Sequence, residues 1–423
     1  MKRLRLAGLR RDREFLKLWA ALTLSLAGVQ VSTVALPLTA AVWLGATPSE
    51  MGTLAALRWA PYLLFGLPAG VWLDRGRRRP VLVWTHAGRA VLLGLVPAAA
   101  LLGTLRIELL YLIAFGVGTL MLFSDVAYQS VLPSLVTRER LVEANARVEQ
   151  SRSLAQIAGP SAGGGLVQLL TAPVAVAFDA LAFAAGAVLV ALIRSPEPPP
   201  PTGRRDVKAE VLEGLGWVFG HPLLRSIQAT SMTFIGANSL WSAVYVLYLT
   251  RERRLEAVTI GLLTAAAGPA ALAGASLTPR IVARVGVGPA IVGSYLLGGG
   301  ATLLLPASAA VPWAARPMLF AAHLAFGFAL AIGSPELALR QSVTPARLLG
   351  RTNATMRSLN WSTVTVGSLA GGALGEAIGL VPAMLVGAVL SAGSWVPLFL
   401  SPVARVRALG PDHGLLLQHD RAR

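Results

Sequence analysis

Five charged side chains stand inside otherwise apolar stretches of this sequence: Arg58, Arg89, Asp125, Asp179 and Glu336. A charge in apolar surroundings is costly unless it is paired or put to use, so each is a candidate for taking up or steering a proton. Glu336 is the first choice for a proton-carrying carboxylate, with a structural ion pair to Arg340, one helical turn on, as the equal alternative. Asp179 and Arg58 read equally well as static partners. Other chemistries find no residues to work with. Cysteine is absent, which removes thiolate catalysis, disulfides and cysteine-based metal sites. The five histidines, at 86, 221, 323, 413 and 419, fall in no metal-ligand spacing, so neither metal nor cofactor is expected. No nucleophile, base and orienting group cluster, and there is no glycine-rich phosphate loop. That argues against an enzyme and against ATP-driven work within the chain.

The elements that carry these charges are apolar. Of 423 residues, 55% are hydrophobic and 13% charged, about half the charge of a soluble domain at roughly 25%. Spanning a bilayer takes ~20 mostly apolar residues in a helix. Twelve such runs occur, at 16–44, 50–73, 80–105, 107–133, 146–170, 172–193, 223–249, 257–282, 287–306, 316–340, 350–378 and 380–402. The first is too long for a cleaved signal. With the N-terminus inside, 30 of the 37 Lys and Arg fall in cytoplasmic segments and 5 in outer loops. This positive-inside pattern puts both termini in the cytoplasm, accounts for the net charge of +17, and needs no nucleic acid. Expected domains are a six-helix bundle over 1–194, a cytoplasmic linker over 195–222, a second bundle over 223–402 and a tail over 403–423. The linker opens with a proline-rich segment at 196–201 and continues with charged and apolar residues at helical spacing over 206–219, read as an amphipathic surface helix.

The halves repeat. Gln129-Ser130-Val131-Leu132-Pro133 recurs as Gln341-Ser342-Val343-Thr344-Pro345, and Asn145-Ala146 as Asn353-Ala354. Gly159, Gly163, Gly164 and Leu166 meet Gly367, Gly371, Gly372 and Leu374, and Gly52 and Arg75 meet Gly261 and Arg284. Four shared blocks in one order indicate two related six-helix halves. The sequence thereby resembles the major facilitator superfamily over essentially its whole length, and within it the bacterial efflux branch that includes enterobactin and macrolide exporters. The resemblance implies an all-α membrane protein of twelve transmembrane helices in two pseudo-symmetric bundles.

Two motifs carry the likeness. Gly70-Val71-Trp72-Leu73-Asp74-Arg75-Gly76-Arg77-Arg78-Arg79 is similar to the superfamily's loop signature at Gly70, Asp74, Arg75, Arg78 and Arg79, and departs from it at Arg77. Its expected role is a gating latch. Asp74 faces the N-terminus of the eleventh helix, near Gly350, and Arg78 pairs with Asp125 on the fourth span. In the second half the place of Asp74 is taken by Ala283. Gly159-Pro160-Ser161-Ala162-Gly163-Gly164 on the fifth span is similar to the signature of the superfamily's antiporters, which are largely exporters. There Pro160 bends the helix, and Gly159, Gly163 and Gly164 admit a close neighbour.

The resemblance also implies a substrate cavity lined by spans one, four, seven and ten. Candidates are Gln30, Thr33, Phe115, Phe234, Asn238 and Trp241, with helix packing as the alternative for each. Tyr245 and Tyr248, on the same face, are expected in an interfacial belt. The functional expectation is a monomeric inner-membrane transporter that exchanges protons for an amphipathic small molecule. Uptake of a sugar or organic acid and a non-transporting sensor on the same fold are the alternatives.

Overall fold

The computed structural model describes residues 12–74, 78–195 and 207–408. Every regular element among them is helical. In the first half α1 is Arg13–Leu38, α2 Pro48–Asp74, α3 Arg78–Leu101, α4 Ile107–Leu135, α5 Leu141–Leu170 and α6 Ala172–Ala191. The second half begins with α7, Val207–Gly220, and continues with α8, Pro222–Leu247, α9, Ala257–Val285, and α10, Val287–Thr302. It ends with α11, Leu304–Ala310, α12, Ala315–Ile332, α13, Pro335–Ser342, α14, Leu349–Ile378, α15, Leu380–Ala392, and α16, Val396–Phe399. Among the described residues nine helical segments are long and apolar enough to cross a bilayer. With α2, α5 and α14, of 27, 30 and 30 residues, they make the twelve spans expected. α5 and α14 are less apolar than the rest, with Glu143 and Arg147 in the N-terminal third of one, Arg351 and Arg357 in that of the other, and many small or polar residues beyond.

Two runs expected as continuous helices are interrupted. The run over 316–340 breaks between α12 and α13 at Gly333-Ser334, because Pro335 has no N–H with which to continue the ladder. The run over 287–306 breaks at Leu303, between α10 and α11.

The repeat read from the residues reappears in backbone shape. α1 ends in a π turn at Thr39–Trp43 and α8 in another at Tyr248–Glu252. The hydrogen bonds that close them correspond one to one: Leu44 N to Thr39 O at 3.1 Å with Arg253 N to Tyr248 O at 3.0 Å, and Ala46 N to Ala40 O with Leu255 N to Leu249 O, both at 2.9 Å. Each turn then needs one left-handed residue, Gly45 at φ 67° in the first and Arg254 at φ 51° in the second. Glycine adopts that conformation freely, whereas Arg254 is strained there. Likewise Thr171, between α5 and α6, and Gly379, between α14 and α15, both have φ 92°.

The chain forms two compact units. The first takes the described chain up to residue 195 together with Val246–Ala265, and the second takes 207–245 and the chain from Ala266. In the first, α6 packs on α1 and α3, α4 on α2 and α3, and α5 on α1. In the second, α12 and α15 pack on α10, and α14 packs on α15 and α7. Small residues set these approaches. A Cβ at Gly118 would strike the Arg58 carbonyl, and one at Gly327 the Ala267 carbonyl, so α2–α4 and α9–α12 meet at glycine. The helix expected over 206–219 is α7. It lies along the start of α14, where Arg347 Nη1 donates to Glu213 Oε1 at 2.7 Å and Arg351 donates to both Glu213 and Glu210. The Arg347 bond, aided by the nearby Arg351 charge, holds the Glu213 carboxyl below the usual carboxylate range.

Candidate functional site

The best-formed polar site in the second unit is built around Glu336. Pro335 and Glu336 open α13, so the carboxylate sits in the first turn, where the helix N-terminus favours negative charge. The Tyr295 hydroxyl of α10 donates to Glu336 Oε2 at 2.8 Å, and Arg340 Nη1 lies 3.6 Å from Oε1. The chain of contacts extends both ways. Ser231 Oγ of α8 is 3.1 Å from the Tyr295 oxygen, and Arg340 Nη2 donates to Asn353 Oδ1 of α14 at 3.0 Å. Four helices are thus tied through one carboxylate whose side chain is only 13% exposed.

Beside this network lies a cavity of about 180 Å³, lined by Phe234, Tyr295, Gly298, Phe326, Gly333 and Glu336. The Phe234 ring lies parallel to Phe326 at 5.8 Å and edge-on to Tyr295 at 5.2 Å. An apolar chamber with one acid at its edge can hold a small apolar or amphipathic group against a proton-accepting atom. The other candidates on α8 are engaged elsewhere. Asn238 Nδ2 donates to Phe234 O at 2.7 Å and to Ser391 Oγ of α15 at 3.2 Å, while its Oδ1 accepts from Trp241 Nε1 at 2.9 Å. Tyr245 and Tyr248 are 7% and 0% exposed, so they are interior residues and not the interfacial belt expected of them. His323 packs its ring 5.8 Å from that of Tyr245.

In the first unit Asp125 of α4 accepts a hydrogen bond at 2.8 Å from the hydroxyl of Tyr62 on α2. Of the other latch candidates, Arg75 lies outside the described residues, and the side chains of Gly70 and Asp74 do too. Arg79 Nη1 donates to Ile193 O at 2.6 Å and Ser195 O at 3.0 Å, tying the start of α3 to the end of α6. Arg58, Arg89 and Asp179 come together on α2, α3 and α6, with the Arg89 Cζ 3.7 Å from the centre of the Phe183 ring.

The fifth-span glycines serve two neighbours. A Cβ at Gly159 would strike Gln30, and one at Gly163 would lie 3.0 Å from Val31 Cα, so both face α1. Gly164 faces the start of α9, where a Cβ would lie 2.5 Å from the Ala257 carbonyl oxygen and 3.1 Å from Gly261 Cα. Nearby, Gln168 Nε2 donates to Glu256 Oε2 at 3.1 Å, its Oε1 accepts from Val258 N at 3.3 Å, and Arg251 Nη2 donates to Ala46 O at 2.7 Å. Gln30 is therefore a packing residue toward α5. Thr33 is exposed, with its hydroxyl returned to Val29 O at 2.8 Å, and Phe115 is half-buried on α4.

Tyr62, Tyr295 and Ser231 were not singled out by the sequence. The available signal was a tyrosine within an otherwise small and aliphatic span, since a buried hydroxyl must find a partner.

Residues 18–362 match the Major Facilitator Superfamily. The chain belongs to that superfamily. Among similar proteins, the enterobactin exporter EntS of Escherichia coli O1:K1 / APEC is 27% identical over 366 residues, 84% of this chain and 82% of its own length. The enterobactin exporter EntS of Citrobacter koseri is 28% identical over 367 residues, with the same coverage. Among solved structures, that of the nucleoside transporter NupG superposes with a TM-score of 0.69 at 11% identity, covering 92% of this chain and 99% of the other, a likeness of fold. This superfamily member is a multi-pass membrane transporter and not an enzyme. In it Glu336 with Tyr295 and the Phe234–Phe326 chamber occupy one half, and the Arg58–Arg89–Asp179 group with Tyr62–Asp125 the other.

Proposed function

We propose that this major facilitator protein exports amphipathic small molecules of drug, macrolide or siderophore type in exchange for protons. It would work by alternating access as a monomer in the cell membrane with both termini cytoplasmic. The observation that carries the reading is the buried Glu336 carboxylate, bonded to Tyr295 and Arg340 at the edge of an aromatic cavity. A proton on Glu336 removes its attraction for Arg340 and weakens the charge-assisted bond from Tyr295, so loading the carboxylate loosens the link from α13 to α10. A bulky apolar solute suits the Phe234 and Phe326 rings better than a sugar would, since the chamber offers few hydrogen-bonding groups. The likeness to enterobactin exporters supports the outward direction, as does the Gly159-Pro160-Ser161-Ala162-Gly163-Gly164 segment.

In this reading Thr33 and Phe115 contribute to the pathway from the first unit, and Asp74, Arg75, Arg78 and Asp125 form a cytoplasmic latch. The Tyr62 bond keeps Asp125 poised as an acceptor for Arg78. The test is transport into everted membrane vesicles with a panel of fluorescent dyes, macrolides and catecholate siderophores. Accumulation of at least one compound is expected, collapsing when a protonophore dissipates the gradient and lost in Glu336→Gln. Accumulation indifferent to the gradient, or unchanged in Glu336→Gln, refutes the coupling. Accumulation of sugars or organic acids alone refutes the substrate class.

A further inference from the structure

The chamber beside Glu336 has acceptors in its wall but no free side-chain donor. Of its lining residues Ser294 and Tyr295 carry a hydroxyl, and both protons are spent: Ser294 Oγ donates to Ile291 O at 2.7 Å and Tyr295 to Glu336 Oε2 at 2.8 Å. The Glu336 carboxylate keeps one oxygen open. Arg340 stands 3.6 Å from Oε1 and gives its Nη2 to Asn353, so Oε1 can take a closer donor. The helix break adds further acceptors. In an unbroken helix Ser334 N would bond to Leu330 O and Glu336 N to Ile332 O. Instead Ser334 N turns to Ala331 O at 3.1 Å and Glu336 N to Gly333 O at 3.0 Å, which releases the Leu330 and Ile332 carbonyls. Leu330 is itself a lining residue, and the C-terminal end of α12 favours positive charge.

The rest of the wall is aromatic or small. Phe234 and Phe326 lie parallel with ring centres 5.8 Å apart, and the face of an aromatic ring attracts a cation. At about 180 Å³ the chamber is slightly larger than a ~150 Å³ apolar cavity that holds benzene, so it takes one ring or short chain together with its head group. A carboxylate, phenolate or phosphate head finds no donor there and meets a like charge. An uncharged hydroxyl can give a proton to Oε1 but gains nothing from the charge of the acid. A protonated amine can give N–H groups to Oε1 and to the released carbonyls, and its charge faces both the carboxylate and the rings.

We infer that the chamber selects a protonated amine: the exported compounds are amphipathic bases whose ammonium group is held by Glu336 while the adjoining apolar arm lies against Phe234 and Phe326. This rests on the export reading above and narrows its substrate class, since anionic amphipaths are turned away from the chamber. Tyr295 acts as a positioning residue. Its hydroxyl holds Oε2 and so fixes the carboxylate at the edge of the chamber with Oε1 left for the ligand.

The test measures binding of phenylbutylamine, phenylbutanol and phenylbutyrate, which share a ring and chain, to the purified full chain in micelles of an uncharged detergent. The amine should bind about tenfold more tightly than the alcohol or better, as expected of one hydrogen bond to a charged group, and the butyrate should bind least. Glu336→Gln should bring the amine and the alcohol to the same affinity. If that variant does not fold, a membrane-soluble carbodiimide added to wild type with phenylbutylamine should leave the amide on Glu336, located by peptide mass mapping. Equal affinities in wild type, tightest binding of the butyrate, an amine preference that survives in Glu336→Gln, or an amide on other carboxylates alone would overturn the inference. Everted vesicles separate it from the export reading. Gradient-driven accumulation of anionic compounds and not of bases overturns the amine class and keeps the exporter, whereas selective amine binding without any gradient-driven accumulation overturns the exporter and keeps the site.

Discussion

Removing the guanidinium of Arg340 isolates a buried carboxylate, and its cost follows from the contacts. Arg340 lies 3.6 Å from Glu336 Oε1 and donates to Asn353 Oδ1 at 3.0 Å, with the two paired side chains 17% and 13% exposed. Arg340→Ala leaves Glu336 with Tyr295 as its one remaining side-chain partner in the network described, in a place where water gives little help. Breaking one side of such a buried pair costs about 3–5 kcal/mol. Glu336→Gln is milder, because its amide oxygen still accepts from Tyr295 and Arg340 keeps Asn353. That loss resembles a charged hydrogen bond made neutral, about 1.5–3 kcal/mol. The informative variant is the double one. With Glu336→Gln already in place, Arg340→Ala no longer isolates a charge, so the two losses should fall short of their sum by at least the Glu336→Gln loss itself, about 1.5–3 kcal/mol. The 10 Trp of the chain make intrinsic fluorescence a convenient probe of denaturation of the purified protein in detergent micelles. The expected order of midpoints is wild type, Glu336→Gln, then Arg340→Ala, with the double variant at or above Arg340→Ala. Arg340→Ala melting with wild type, or the double variant falling by the full sum, would refute the claim that these residues form one buried unit.

Two further outcomes follow from contacts outside that network. Glu213 is held below its ordinary value by Arg347 and Arg351, so its contribution is present above the unfolded carboxylate value and is lost as pH falls through the lowered folded value. Hydrogen exchange of α7 should accelerate on acidification below the usual carboxylate range and should be fast at every pH in Glu213→Gln; a flat profile in wild type would remove Glu213 as the holder of α7. Gly164→Ala places a methyl 2.5 Å from the Ala257 carbonyl, a backbone atom that cannot swing aside. It should push α9 from α5 and destabilise the protein by about 1–3 kcal/mol, whereas Gly165→Ala, facing open space, should be neutral; equal midpoints would show that Gly164 is not a close-packing position.

Much of the architecture was legible because apolar run length and Lys/Arg placement are set by the bilayer, a strong and one-dimensional constraint. The run over 350–378 is α14 to within one residue, and the helix over 206–219 is α7. Breaks inside a span were not legible: a run-length criterion averages over some twenty residues and passes across Gly333-Ser334-Pro335. Nor were the partners of the buried acids. Asp125 and Glu336 stood out, but the tyrosines that bond them are 63 and 41 residues away in the chain. Spacing within one helix does not reveal a contact between helices that are packed by the fold. Tyr245 and Tyr248 misled for a related reason, since an aromatic stripe looks the same whether its helix meets lipid or other helices.

The repeat shows which features the two halves share and which they divide. Backbone shape is shared, down to paired π turns and the left-handed residues at Gly45 and Arg254. Chemistry is not. Counting 209 residues on from Arg58 and Arg89 gives Ala267 and Gly298, and 208 on from Asp179 gives Gly387. Where the first half has two arginines and an aspartate, the second has three small residues. Gly298 lines the chamber beside Glu336, and Gly387 and Ala267 let α8 and α12 approach their neighbours closely. The volume that holds charge in one bundle is thus left as cavity and close packing in the other. An ancestral symmetry in the backbone constrains both halves to move alike, while the side chains at equivalent places are free to specialise. On that ground the ionic half and the cavity half are expected to do different parts of one transport cycle. Arg89→Gly, which writes the second half's residue into the first, should then impair proton response more than it impairs binding of the transported compound.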